Sequence, residues 1–241
     1  MQAAILGYGK MGQAIAEILE ERGHQIILKA THADYSLEAL QKADVAIEFS
    51  QPDAAVTNLQ NCFSANTPVI CGTTGWLHHY EQVAAQCKMQ GGGLLYASNF
   101  SLGVNLFFAL NKKLAQLMQP FEQYQPAITE THHTQKKDAP SGTAISLAQH
   151  IIEKLEQYDS WHLAEANKEQ PERTLPITAV REPGVPGTHH IQYQSEIDQI
   201  SIQHQAYSRK GFALGAALAA EFMQGKQGVY TMQDVLKIKD L

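Results

Sequence analysis

Three glycines near the start of the chain constrain its fold more than any other feature. Gly7-Tyr8-Gly9-Lys10-Met11-Gly12 follows a short apolar run, Gln2 to Leu6. It precedes apolar residues at helical spacing: Met11, Ala14, Ile15, Ile18 and Leu19. A G-x-G-x-x-G between a strand and a helix makes a tight turn, lets the backbone approach a phosphate and packs the helix close to the strand. The helix N-terminus then presents N–H groups and a partial positive charge to an anion. Gly7, Tyr8, Gly9, Lys10, Met11 and Gly12 are therefore candidates for holding the pyrophosphate of a dinucleotide.

The pattern that follows is the one such a motif needs. Gln25 to Leu28, Asp44 to Phe49, Pro68 to Cys71 and Gly93 to Ala97 read as further strands. Helical segments lie between them, with Gly23 at a helix end, Ser50 as an N-cap before Pro52, and Leu77 to Cys87 as a helix. Alternating strands and helices with short links predict a Rossmann-type, doubly wound parallel sheet, an α/β architecture. Beyond residue 101 the pattern changes. Leu102 to Met118 and Ser141 to Leu155 read as helices. Pro126 to His132, Thr174 to Arg181, His189 to Ser195 and Gln199 to Ala206 read as strands, the last three joined as hairpins. Residues 156–173 are expected to be a surface loop. This region predicts an α+β domain with an open mixed sheet. Gly211 to Met223 returns to helix and is expected to pack on the first domain. The expected division is therefore 1–101 with 212–241 as a dinucleotide-binding domain, and 102–211 as a substrate-binding and oligomerisation domain.

Composition narrows the function. The chain has 241 residues and a net charge of −6, so it lacks the basic face that nucleic-acid binding requires. Its three cysteines, Cys62, Cys71 and Cys87, are odd in number and form no C-x-x-C, as expected of buried reduced thiols. The Ala-rich stretch Gly211 to Phe222 is too short to span a bilayer. These features point to a cytoplasmic protein that acts on something small, with no nucleic-acid or membrane partner.

Two further turns lie at the carboxyl ends of predicted strands, where such sheets bind cofactors. They are Gly72, Thr73 and Thr74 after the fourth strand, and Ala97, Ser98, Asn99 and Phe100 after the fifth. Asn99 could place its amide near a nicotinamide. The second strand runs into Lys29, Ala30, Thr31 and His32, with no carboxylate before Asp34. Either His32 or Lys29 faces a 2′-phosphate, or Asp34 reaches the ribose, so NADPH and NADH both stay open as cofactors.

The densest polar stretch runs from Glu130 to Ala144. A strand enters it and an amphipathic helix leaves it. Ser141, Gly142 and Thr143 stand at the start of that helix, where N–H groups and hydroxyls can hold a carboxylate. His132, His133, Lys136 and Lys137 lie beside it, a set suited to an acidic substrate and a proton donor. The spacing contains no metal-binding motif such as H-E-x-x-H, and no metal is expected. His78-His79 lies on a predicted surface helix, and His189-His190 on a strand whose neighbours face opposite sides.

ITETHHTQKKDAPSGTA at 128–144 resembles the signature of the 4-hydroxy-tetrahydrodipicolinate (dihydrodipicolinate) reductase family. Other blocks are similar to that family in its order: GYGKMG at 7–12, DVAIEFSQPDAA at 44–55, VICGTTGW at 69–76, ASNFSLGVN at 97–105, REPGVPGTHH at 181–190 and YSRKGFALGA at 207–216. The resemblance implies reduction of a cyclic dicarboxylate by hydride from NADPH or NADH in lysine and diaminopimelate biosynthesis, by a homotetramer. It implies that His132 is the proton donor and Lys136 the catalytic lysine. It further implies that His133 binds substrate and that Gly142 and Thr143 hold a carboxylate. Thr31 and His32 stand where many members carry a charged residue, and Thr134 and Gln135 where many carry basic ones.

Two other readings are set beside this one. A different small-acid dehydrogenase on the same plan would call for a catalytic cysteine in a turn. A nucleotide-sensing regulator would call for a DNA-binding helix pair or a basic face.

Overall fold

A computed structural model of the chain describes residues 1–31, 35–165, 170–208 and 210–238. They form two compact units, Met1–Leu102 with Lys210–Asp240, and Gly103–Arg209.

In the first unit, β1 (Gln2–Leu6), β2 (Gln25–Ala30), β3 (Val45–Glu48), β4 (Val69–Cys71), β5 (Gly93–Tyr96) and β11 (Gly228–Tyr230) form one sheet. Its order is β11-β5-β4-β3-β1-β2, and every pairing is parallel. The two-residue period of the central strand sorts its side chains. Ala3 and Ile5 of β1 face α1 (Lys10–Glu21) and α7 (Lys210–Met223), with Val45, Ile47, Ile15 and Leu19. Ala4 and Leu6 face the opposite side, with Leu59 and Phe63 of α3 (Pro52–Ser64) and Val83 and Cys87 of α4 (Tyr80–Met89). Both faces of a parallel sheet must be covered, and this one is. α7 approaches closely because its buried face is almost all alanine: Ala213, Ala216, Ala217, Ala219 and Ala220 are fully buried. At Gly215 a β-carbon would lie 1.7 Å from the Phe100 carbonyl oxygen, so no larger residue fits.

In the second unit the sheet order is β10-β9-β6-β8-β7. β6 (Gln125–His132), β8 (Thr174–Arg181) and β7 (Ser160–Leu163) run parallel; β9 (Gly187–Gln194) is antiparallel to β6 and to β10 (Gln199–Ala206). One face packs on α5 (Leu102–Met118) and α6 (Gly142–Ile152) through Phe107, Ala115, Leu147, Ile151, Ile128, Ile177, Ile191 and Tyr193. Asn111 of α5 donates to the Leu147 carbonyl at 3.0 Å and ties the two helices. The first unit is thus a doubly wound parallel sheet and the second a mixed α+β unit, as the sequence predicts.

Several local expectations are corrected. The residue before α3 is Gln51, not Ser50, because the Ser50 hydroxyl turns to the buried Glu48 carboxylate. The expected loop at 156–173 contains β7, an edge strand of four residues that pairs, among the described residues, with β8 alone. The tail contains β11 and α8 (Met232–Leu236), which starts where the Asp234 carboxylate accepts from the Thr231 N–H at 2.8 Å. A short helix, α2 (Leu37–Gln41), starts on Ser36, whose hydroxyl accepts from the Ala39 N–H. The helix expected from Leu77 opens as a 3₁₀ turn, Leu77–His79, before α4, and both histidines of that turn are exposed. β8 and β9 are not a hairpin: β6 lies between them. No helix among the described residues is long and apolar enough to cross a membrane.

Two buried histidines make the second unit sensitive to acid. Burial, then the charge of Lys112, lowers His150 to about 4. Its ring stands edge-on to Phe108, with centroids 5.2 Å apart. Burial, then the charge of His132, lowers His189 of β9 to about 4. An unfolded imidazole takes its proton near 6.5, so between there and about 4 the unfolded chain binds more protons than the native one. Stability therefore falls as pH falls through that window, by up to about 1.4 kcal/mol per pH unit for each histidine. Urea unfolding midpoints measured from pH 7 to 4 should show this fall, with a shallower one in His150→Leu. Midpoints that do not change over the window contradict it.

Candidate active site

The first unit builds its candidate site at the carboxyl ends of β1 to β5. Gly7 leaves β1 at φ 101°, and a β-carbon there would lie 2.2 Å from the Phe49 carbonyl oxygen. At Gly12 a β-carbon would lie 2.2 Å from the Gly7 carbonyl oxygen. These two glycines are demanded by the chain's own backbone. Gly9 is different: a β-carbon would meet nothing within 4 Å. Gly9 precedes α1 with no side-chain cap, and the first-turn N–H groups of Lys10, Met11 and Gly12 have no acceptor within their own helix. The N–H groups of Gly7 and Tyr8 both donate to the Ala30 carbonyl, at 2.9 and 3.0 Å. A cleft of about 480 Å³ is lined by Gly7, Tyr8, Gly9, Thr31, Asp53 and Asn58, among others. An open cleft beside unpaired helix-end donors fits a dinucleotide phosphate.

The other cofactor candidates divide. Thr74, Ser98 and Lys10 are exposed, and Ala97, Asn99 and Gly72 half-buried, at the same rim. Thr73 is buried, and its hydroxyl accepts from the Ser50 N–H at 2.9 Å. Phe100 is buried against the Phe49 ring, centroids 5.3 Å apart. Those two form the frame of the rim. The Asn99 side-chain oxygen accepts from the Ser101 N–H at 2.8 Å, fixing the turn after β5. Lys29 lies over the Tyr8 ring, 5.2 Å from its centroid, and pairs with Glu20 at 3.4 Å. His32 and Asp34 lie outside the described residues.

Glu48, at the end of β3, has no place among the sequence candidates. It is fully buried and accepts from Ser50 and from the Asn58 side-chain amide at 3.2 Å, and Cys71 Sγ lies 3.3 Å away. Burial and this neighbouring carboxylate push the Cys71 thiol up, so it is no nucleophile. Cys71 therefore does not supply the catalytic cysteine that a different small-acid dehydrogenase would call for. Burial also raises Cys62, and raises Cys87 to about 11.

The second unit gathers its polar residues where β6 ends and α6 begins. Alternation along β6 puts Glu130 and His132 on the same buried face. Across the parallel register, His132 stands opposite Arg181 of β8. Arg181 donates to Glu130 at 3.1 Å, to the Asp138 carbonyl at 2.7 Å and to the Lys136 carbonyl at 3.4 Å. One guanidinium thus shapes the whole loop after the strand. The Lys136 ammonium pairs with Asp138 at 2.7 Å, and His133 sits half-buried at the loop's start. Ser141 precedes α6 and is committed to the frame. Its hydroxyl accepts from the Ala144 N–H and lies 3.2 Å from His189 Nε2, while its own N–H donates to Glu130 at 3.2 Å. Gly142 is exposed, with open space where a β-carbon would stand, and Thr143 is half-buried. The helix end is therefore open to an anion at Gly142 and Thr143 rather than at the Ser141 hydroxyl.

The charges here are ordered. Burial alone would raise Glu130, but the close contact with His132, the Ser141 hydrogen bond, the His132 charge and the Arg181 hydrogen bond outweigh it and lower the carboxyl to about 2. His189, lowered to about 4, is neutral at pH 7. Its ring stands edge-on to His132, centroids 5.2 Å apart. Glu130, His132 and His189 bring donor atoms within 4.8 Å of one another, types that a cation also accepts. The Arg181 guanidinium already matches the Glu130 charge and opposes a second cation there.

The chain has clear relatives. Residues 1–100 match the family model described as dihydrodipicolinate reductase, N-terminus, and residues 103–236 match the one described as dihydrodipicolinate reductase, C-terminus. The 4-hydroxy-tetrahydrodipicolinate reductase of Christiangramia forsetii is 50% identical over 238 residues, 98% of each chain. That of Thermosipho africanus is 31% identical over 239 residues, again 98% of each. Among solved structures, dipicolinate-bound dihydrodipicolinate reductase from Paenisporosarcina sp. TG-14 superposes with a TM-score of 0.77 at 24% identity, covering 97% of this chain and 98% of that one. This last likeness bears on the fold alone.

The glycine geometry separates stability from nucleotide binding. Gly7→Ala should lower unfolding stability by more than about 3 kcal/mol, because a β-carbon collides with backbone at a positive φ. Gly9→Ala should keep stability within about 1 kcal/mol. It should weaken NADH binding at least about tenfold, 1.4 kcal/mol, by filling the approach to the helix end. Calorimetric titration and urea unfolding read the two effects separately. If Gly9→Ala binds NADH as the parent does, the phosphate site lies elsewhere.

Proposed function

Because the chain belongs to the dihydrodipicolinate reductase family, we propose that it reduces 4-hydroxy-tetrahydrodipicolinate to tetrahydrodipicolinate in lysine and diaminopimelate biosynthesis. It is an oxidoreductase with a Rossmann-type unit, and its cofactor is NADH or NADPH. The reaction is assigned to the cytoplasm. The observation that carries the substrate reading is the arrangement of His132, His133 and Lys136 beside the exposed start of α6, an anion site with a proton donor next to it.

The first unit is proposed to hold the nucleotide, with its pyrophosphate on the first turn of α1. Bound NADH or NADPH supplies the hydride. The substrate is a dicarboxylate and needs two anchors. The N–H groups at Gly142 and Thr143 hold one carboxylate, aided by the helix dipole. Lys136 and His133 hold the other. Lys136 is already paired with Asp138, but the Asp138 side chain is 63% exposed. Such a pair contributes little, so a carboxylate can displace Asp138. Loss of the 4-hydroxyl of 4-hydroxy-tetrahydrodipicolinate as water gives a conjugated imine, and hydride addition to that imine leaves an electron pair to be protonated. His132 gives that proton, and the Lys136 charge stabilises the developing anion.

Purified protein, given the condensation product of pyruvate and aspartate semialdehyde, should oxidise NADH or NADPH, followed by absorbance. No oxidation of either nucleotide overturns the reading. His132→Gln and Lys136→Ala should each lower kcat by about 100-fold or more while NADH binding is unchanged. Rates near those of the parent in both variants would place the chemistry elsewhere.

The reading also carries self-association as a homotetramer. Sedimentation equilibrium should give the mass of four chains, and a stable monomer during turnover would remove this part.

A further inference from the structure

Glu130 has no part in the reaction as set out above, yet it is a buried charge with several partners. Its side chain is fully buried. Oε1 takes two donors, Arg181 Nη2 at 3.1 Å and the Ser141 N–H at 3.2 Å. Oε2 lies 2.8 Å from His132 Nδ1. The ring is turned so that this contact falls short of full hydrogen-bond alignment, and among the described residues neither atom has a hydrogen-bond partner. The two atoms thus face each other at ion-pair distance.

The far side of the imidazole is equally bounded. A β-carbon on Gly187 would stand 3.1 Å from His132 Nε2. The His132 side chain keeps 11% of its surface, to which the buried Nδ1 adds almost nothing. The charged and titratable groups around the ring are Glu130 on its own strand, Arg181 on β8, His189 on β9, and Lys136 and Asp138 in the following loop.

We propose that Glu130 is a positioning residue for His132, holding the proton of the neutral ring on Nδ1 so that Nε2 is the nitrogen that delivers a proton to the substrate. This rests on His132 being the proton donor, as proposed above. An ionised carboxylate only accepts hydrogen bonds. A bare Nδ1 would set lone pair against lone pair at 2.8 Å, so Nδ1 must carry its hydrogen in every working state. The charged ring then bears hydrogens on both nitrogens. In the transfer the Nε2–H bond breaks and its electron pair stays on Nε2. The pair left on the substrate by hydride addition forms the new bond to hydrogen. The ring that remains is the neutral Nδ1–H form that Glu130 already accommodates, so no tautomer change is needed.

The two donors on Oε1 make a sharp test possible. In Glu130→Gln the amide oxygen must occupy the Oε1 position, because Arg181 and Ser141 both donate there. The amide NH₂ then faces His132 Nδ1 and donates to it. The ring is forced to the Nε2–H form and cannot become doubly protonated without setting N–H against N–H. A neutral imidazole is a far weaker acid, so kcat should fall by roughly 10²–10⁴-fold. NADH binding should not change. Glu130→Asp keeps an acceptor facing Nδ1 and should recover at least about a tenth of the parent kcat.

Ring nitrogen spectra of ¹⁵N-histidine protein give the independent readout, with His132 assigned by its loss in His132→Gln. At a pH where the ring is neutral, the parent should show the hydrogen on Nδ1 and Glu130→Gln should show it on Nε2. Three results overturn the proposal: a parent ring protonated on Nε2, a Glu130→Gln ring still protonated on Nδ1, or a Glu130→Gln kcat within a few-fold of the parent. Should Glu130→Gln not fold, the parent spectrum and the Glu130→Asp rate decide. If the parent oxidises no nucleotide with this substrate, the functional reading fails, whereas the tautomer measurement still reports on the Glu130–His132 pair.

Discussion

The Glu130 carboxylate sits where β6, β8 and the start of α6 converge, and one charge with two oxygens connects all three. Burying a carboxylate costs several kcal/mol unless it is paired and hydrogen-bonded. Here the pairing is with Arg181, and the remaining acceptor sites meet the Ser141 N–H and His132. Arg181 in turn holds the carbonyls of Lys136 and Asp138. The loop that carries the side chains proposed to react is therefore shaped from beneath by a buried ion pair, not by contacts at its surface. The Ser141 hydroxyl, occupied with capping α6, keeps the helix end in register with that pair.

The first unit meets a related requirement in another way. Its buried acid, Glu48, takes neutral donors from Ser50, Asn58 and Cys71. The rim around it depends on backbone packing: the Gly7 turn lies against Phe49, and α1 starts with its N–H groups open. A protein with a net charge of −6 that binds two anionic ligands, as proposed, needs such local devices. Two helix N-termini and a few cations near residues 132–136 act within a few ångströms, where screening is weak, while the global field is repulsive.

Most of the first unit was legible in the chain because its signals are local. The turn of Gly7 to Gly12 and the apolar runs of β1, β3 and β4 follow from periodicity within ten residues. The misses have physical causes. β7 and β11 are edge strands of four and three residues, too short to show a period. Ser50 has the chemistry of an N-cap, but a buried acid two residues away outcompetes the helix for its hydroxyl. The order β9-β6-β8 inserts a strand formed nearly fifty residues earlier between two that follow each other in sequence, and no local pattern encodes that.

The candidate site divides along the same line. The residue types and spacing of Glu130 to Ala144 already determine a strand, a polar loop and a capped helix, and with them His132, His133, Lys136, Gly142 and Thr143 as the candidate set proposed to act on substrate. That Glu130 shares a face with His132 is also implicit in the two-residue period of a strand. Only the tertiary structure decided that Arg181, 51 residues away, lies on Glu130, and that His189, 48 residues from Ser141, lies on its hydroxyl. The reason is physical: periodicity fixes which way a side chain points, while its partner across a sheet is set by register between strands distant in the chain.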